Sequence, residues 1–268
     1  MSIPYDTIPE NLDGHSASPL FAPIQPAAAL AAPAVAPAAG GPHPEVNTQL
    51  VDGPGVYAYT DPDHRYGIPE TIAAIQEVGA LFLRRFPGHH FGVGDISKKG
   101  GGPLDGHASH QKGIDFDVRL IRGDWADAGT TWQSANYSRE RTQSLIGLFW
   151  TNSILRVQFV FFNDAHVFGR QDWPNHDNHF HVRFFPGQQS APPTLRRGNG
   201  LAGANWELQF CLNIWKNSTG APGVDLEKDG DFGQKTETRV KEFQTANGVT
   251  VNGIVDAGVW TLLSSSRA

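Results

Sequence analysis

The sequence predicts an α+β protein in which a small, mainly antiparallel sheet with flanking helices precedes a small three-helix C-terminal domain. Two observations predict the sheet. In IDFDVRL, Ile114, Phe116, Val118 and Leu120 alternate with Asp115, Asp117 and Arg119; in HFHVRFF, Phe180, Val182 and Phe184 alternate with His179, His181 and Arg183. A strand has period two, so each segment carries one apolar face and one face of ionisable groups. A third observation predicts the separate domain. After a Pro/Gly/Ser-bearing stretch from Gln188 to Gly200, the apolar spacing becomes helical. At 268 residues and 39% hydrophobic, the chain can fill one medium core and one small one.

Taken in order, residues 1–45 read as a disordered arm, because AAALAAPAVAPAAGGP (Ala27 to Pro42) has no charged or aromatic residue. The first folded domain is expected over 46–187. Its first helix starts with Pro69 as an initial helical residue and repeats Ile72, Ile75, Val78, Phe82 and Phe86 at helical spacing. Ser138 is the expected cap of a second helix running through Leu145, Leu148 and Phe149. LRVQFVFF, from Leu155 to Phe162, is β-branched and aromatic and reads as a buried strand. Residues 188–200 are the linker, and 201–268 the second domain, with helices around Trp206 to Trp215, Thr236 to Ala246 and Val259 to Leu263.

Composition excludes several classes. A net charge of −6 and a pI near 6.0 give no basic footprint for nucleic acid. No run approaches a membrane span. A lone Cys211 allows neither an intramolecular disulfide nor a four-cysteine zinc site. MSIPYDTIPENLDG lacks the basic start and apolar core of a secretory signal.

Three segments carry chemistry: VGDISKKGGG (Val93 to Gly102), GHASHQKGIDFDV (Gly106 to Val118) and DWPNHDNHFHV (Asp172 to Val182). Zinc takes imidazole nitrogen and carboxylate oxygen, and a catalytic site keeps one position open beyond three protein ligands. His110 and Asp117 are seven apart, while His179 and His181 share one strand face. The conjunction is far more specific than a lone His-x-His. The stretch from about Val51 to Pro186 resembles the penicillin-insensitive murein endopeptidases, within the wider group of lysostaphin-type and D-Ala-D-Ala carboxypeptidase-type metallopeptidases. The resemblance implies one zinc ion held by His110, Asp117 and His181, with His179 as base or transition-state stabiliser. It also implies His107 and His176 in the site and Trp173 at its border. Asp105, where a further Gly is common, is a small departure. A neutral imidazole can accept a proton from water and return it to the leaving amine, so the absence of a general-base Glu is no objection. Arg119 or Arg183 is expected to receive a substrate carboxylate, or else to pair with Asp115 on the same face. Asp115 reads as a hydrogen-bond acceptor rather than a ligand, and His89, His90 and His166 as structural.

DLEKDGDFG has the start of a calcium loop, but its twelfth position is Thr236 where a bidentate Glu is required. The same residues, with Leu208, Gln209, Gly230, Phe232, Gly233, Thr236, Val240, Phe243, Gln244, Gly253 and Trp260, resemble the three-helix peptidoglycan-binding domain. Together the two resemblances imply a zinc-dependent endopeptidase that cuts peptide cross-links of bacterial peptidoglycan, at a D-Ala–diaminopimelate bond. The alternatives are a D,D-carboxypeptidase, a phage lysin, or a wall-binding protein without catalysis. Because the substrate lies outside the cytoplasm and no secretory signal is legible, the further expectation is an exported antibacterial effector. It would work with a secretion-system adaptor and a periplasmic immunity protein as partners.

Overall fold

The computed structural model describes residue 43, residues 45–189 and residues 192–266. Apart from His43 and Glu45, the arm expected over 1–45 lies outside the described residues. The fold is α+β, as the alternation predicted. Strands β1 (Thr48–Gln49) and β3 (Tyr66–Gly67) form a two-stranded antiparallel ribbon. The main sheet contains β2 (Val56–Ala58), β4 (Phe91–Val93), β5 (Asp115–Arg119), β6 (Leu155–Phe161) and β7 (His179–Gln189), in the order β2-β4-β5-β7-β6. Only the β2–β4 pair is parallel. Helix α1 (Pro69–Arg85) makes that crossover, with Pro69 in its first turn as expected.

Helix α1 buries Ile72, Ile75, Val78 and Phe82. Helix α2 (Arg139–Trp150) follows Ser138, yet that side chain accepts no capping bond. The Ser138 amide instead donates to the Ile121 carbonyl at 2.8 Å, so tertiary contact rather than a side-chain cap fixes the start of α2. Phe116, Val118, Phe180, Val182 and Phe184 are 0% exposed and join both helices in one core. With the apolar face of β5 and β7 committed, their ionisable face has to point the other way.

The C-terminal region comprises α3 (Ala202–Thr219), α4 (Gln234–Ala246) and α5 (Ala257–Leu262). It has its own core, including Leu208, Leu212, Phe232, Val240, Phe243 and Trp260. Its acidic loop is used internally: Asp229 accepts from Gln209 Nε2 at 2.6 Å, and Asp225 pairs with Lys216 at 2.9 Å. The stretch expected to be linker from Gln188 begins as strand, since β7 continues to Gln189, which pairs with Leu155. Contact with the sheet region is close. Arg85 meets Glu207 through two hydrogen bonds of 3.0 and 2.6 Å. Gly203 lies against Trp150, where a Cβ would come within 2.3 Å of the indole.

Candidate metal centre

The register of β5 against β7 sets Asp115 opposite Arg183, Asp117 opposite His181 and Arg119 opposite His179. Residues opposite one another in an antiparallel pair project to the same face, so the six ionisable groups form three facing pairs. His110 arrives from the loop before β5, and His107 from the turn before that. Their rings are 4.3 Å apart, and His110 lies 4.9 Å from His181. Asp117 Oδ1 is the hub: His181 Nδ1 is at 3.0 Å, His110 Nε2 at 3.4 Å and His179 Nε2 at 3.6 Å. His110 and His181 are buried, at 2% and 4% exposed, while His179 sits at the mouth.

Each of these rings is steered by a partner on its far nitrogen. His110 Nδ1 meets the Ile96 carbonyl at 3.1 Å, His181 Nε2 meets Asp115 Oδ1 at 2.9 Å, and His179 Nδ1 meets Asn178 Oδ1 at 2.8 Å. Since all three partners are acceptors, each far nitrogen carries a proton; His181 meets a carboxylate on both sides, so its near nitrogen donates as well, to Asp117. His176 is held in the same way by the Pro174 carbonyl at 2.8 Å, with its ring 4.7 Å from that of His179.

The electrostatics follow from burial and from these contacts. Burial alone raises a carboxylate, yet His110, His181 and His179 outweigh it and hold Asp117 well below the usual range. Burial likewise opposes the charged form of His181, but Asp115 and Asp117 reverse that and push its pKa up to about 9. Desolvation takes His176 down to about 4 and also lowers His179. His107 moves upward, chiefly through its 2.8 Å bond to Asp95.

His107, His110 and Asp117 form a group whose ligand atoms all lie within 4.8 Å of one another, a set able to hold a metal ion. It shares His110 and Asp117 with the set expected from the sequence and has His107 in place of His181. Residues 52–157 match the penicillin-insensitive murein endopeptidase family. Residues 207–263 match the peptidoglycan binding domain family. No curated protein matches the chain. The endopeptidase match covers His107, His110 and Asp117 but ends inside β6. His179 and His181 are placed by the register of β7, and His176 by the loop before it, where its carbonyl accepts from the Asn163 amide at 3.1 Å.

The remaining expected residues have definite positions. Trp173 stacks on Phe161 at 4.8 Å, and the same Phe161 ring meets His176 edge-on at 5.6 Å. Arg183 donates to Asp115 at 2.6 Å, which steadies the carboxylate that steers His181. Arg119 lies over the Tyr59 ring at 3.7 Å and donates to the Tyr57 hydroxyl. His89 stacks on Trp125 and His90 pairs with Asp127, both outside the cluster.

Asp95 was not singled out from the sequence, although VGDIS was. Its Oδ2 accepts from His107, and its Oδ1 contacts Thr60 Oγ1 and, at 3.1 Å, His64 Nδ1. These bonds outweigh burial and lower its pKa to about 2. The local signal was the preceding glycine: a Cβ on Gly94 would come within 2.6 Å of the Tyr59 hydroxyl, so only Gly lets this loop run beside Asp117.

Proposed function

We propose that this chain is a zinc-dependent peptidase that hydrolyses peptide cross-links of bacterial peptidoglycan, at the D-alanyl–diaminopimelate bond. The C-terminal domain would hold it on the wall. The observation that carries the reading is the single oxygen Asp117 Oδ1, with three imidazole nitrogens at 3.0 to 3.6 Å. Three imidazoles and a carboxylate thus converge on one small volume, and a cation there would take the place of the proton that His181 now shares with Asp117. Imidazole and carboxylate donors suit zinc. The donor set therefore fits a zinc ion, and the endopeptidase match supports hydrolysis of murein as the work done there.

In this reading His110, Asp117 and His181 hold the metal. A bound zinc ion supplies Lewis acidity, which polarises the scissile carbonyl and brings the pKa of a water toward about 7. His179 acts as the base. Its Nε2 faces the centre as an acceptor because Asn178 engages Nδ1, so it can take the water proton and pass it to the leaving amine. His107, anchored by Asp95, and His176, anchored by Pro174, stand on either side as catalytic hydrogen-bonding groups for the substrate carbonyl. Trp173 offers an apolar wall, and Arg119 a cation at the far end of the same sheet face.

Mass spectrometry of muropeptides after digestion tests the reading. Cross-linked dimers should become monomers, and the conversion should vanish in His110→Ala. Loss of terminal Ala alone would make the protein a carboxypeptidase. Unchanged muropeptides with metal-loaded protein would leave only wall binding.

A further inference from the structure

We propose that the open groove containing Lys98 and Lys99 beside the metal centre is a substrate subsite. It would take the free carboxylate of the wall peptide next to the bond that is cut, with Asp63 and Asp105 receiving that segment's amine. The groove has a volume of about 480 Å³, and His64 and Leu104 also line it.

Two links join it to the centre. His64 Nδ1 contacts Asp95 Oδ1 at 3.1 Å, and Asp95 Oδ2 accepts from His107 at 2.8 Å. Leu104, in the groove wall, accepts the backbone amide of His107 at 3.0 Å. A peptide whose reacting carbonyl lies at the cluster therefore continues into this groove on the His107 side.

The lysines are unusual in their setting. From 46 to 187 the only lysines are Lys98, Lys99 and Lys112, all in the loops that lead to Asp117. Lys98 and Lys99 are exposed, and among the described residues neither forms an ion pair. The glycines after them fix their position. Gly100, Gly101 and Gly102 all have positive φ, at 79, 67 and 84°, a run that side-chain-bearing residues adopt only with strain. Their amides are bonded to Val46, Lys98 and Gln111 carbonyls at 2.7, 2.9 and 2.8 Å. Those amides are thus occupied, and the attraction for an anion comes from the lysines. The Lys98 chain lies across Gly102, where a Cβ would be 3.6 Å from its Cε. The KKGGG motif, which the metal centre does not use, thus sets two lysines on a hydrogen-bonded backbone at the groove. A groove holding both charge signs suits a wall stem, which bears free carboxylates and, at diaminopimelate, a free amine.

This inference rests on the peptidase reading for the identity of the substrate, and binding separates the two. Calorimetry on the zinc-loaded full chain would compare a stem tetrapeptide with its carboxamide form, in wild type and in Lys98→Met/Lys99→Met. Amidation should weaken wild-type binding by about tenfold, the scale of a charge-assisted contact at a partly solvated site. The double variant should bind the free acid about tenfold more weakly and no longer distinguish the two ligands, with its melting temperature and zinc content unchanged. A retained preference in the variant, an equal loss for both ligands, or no wild-type binding to either would overturn the subsite. If the preference is present but cross-linked muropeptides stay intact, the subsite stands and the endopeptidase reading fails.

Discussion

Removing the Glu207 carboxylate should destabilise the whole chain far more than any single change in the exposed loops. Arg85 ends α1, Glu207 lies in α3, and their side chains are 3% and 0% exposed. Glu207→Ala leaves the guanidinium buried without its carboxylate partner, with Ser144 Oγ at 2.7 Å and the Phe210 ring at 4.3 Å among the contacts it keeps. Breaking a buried pair from one side costs about 3–5 kcal/mol, and the contacts that survive place this case near the lower end, about 3. For a protein of this size that is a fall in melting temperature of about 10 °C. The control is Arg85→Met/Glu207→Leu, which removes both charges. Apolar side chains of similar volume replace a buried pair at little cost, so the double variant should recover most of the loss. Thermal and urea unfolding would be followed on zinc-loaded protein, with metal content checked. A loss under about 1 kcal/mol in Glu207→Ala, or a double variant no better than the single, would refute the account of this interface.

Asp115→Asn should weaken zinc binding about 10- to 100-fold while keeping the fold, since the amide oxygen can still accept from His181 Nε2–H and Arg183 but lacks the charge that makes His181 a stronger donor to the metal. Unchanged affinity in a competitive chelator titration would contradict that. His179→Ala should retain zinc and lose about 10²-fold or more in rate; full activity with normal metal content would remove it as the base. His181→Ala should lower metal stoichiometry more than His107→Ala, and the reverse order would assign the third ligand to His107. A chain ending near Gln188 should co-sediment less with whole sacculi, because the tethering effect on local concentration is lost. Equal sedimentation of short and full chains would give the C-terminal domain another role.

The sequence by itself determined the fold class and which ionisable side chains share the face of the candidate centre, because both are periodic or local. Alternation in IDFDVRL and HFHVRFF fixed which side chains share a face, and Pro69 fixed the start of α1. The His110–Asp117 spacing and the His179–His181 pair were legible for the same reason. What only the tertiary structure decided is everything that depends on residues distant in the chain meeting. The one-to-one register of β5 and β7 put His181 between Asp115 and Asp117, and it tied Arg183 to Asp115, where the sequence left its partner open. Asp95 gained its role because the loop after β4 passes beside His107 and His64. Ser138 had the right residue type and position for a cap, but its backbone was drawn to Ile121 instead. The contact of Arg85 with Glu207 joins residues 122 positions apart, and no local pattern in the chain encodes such a pairing.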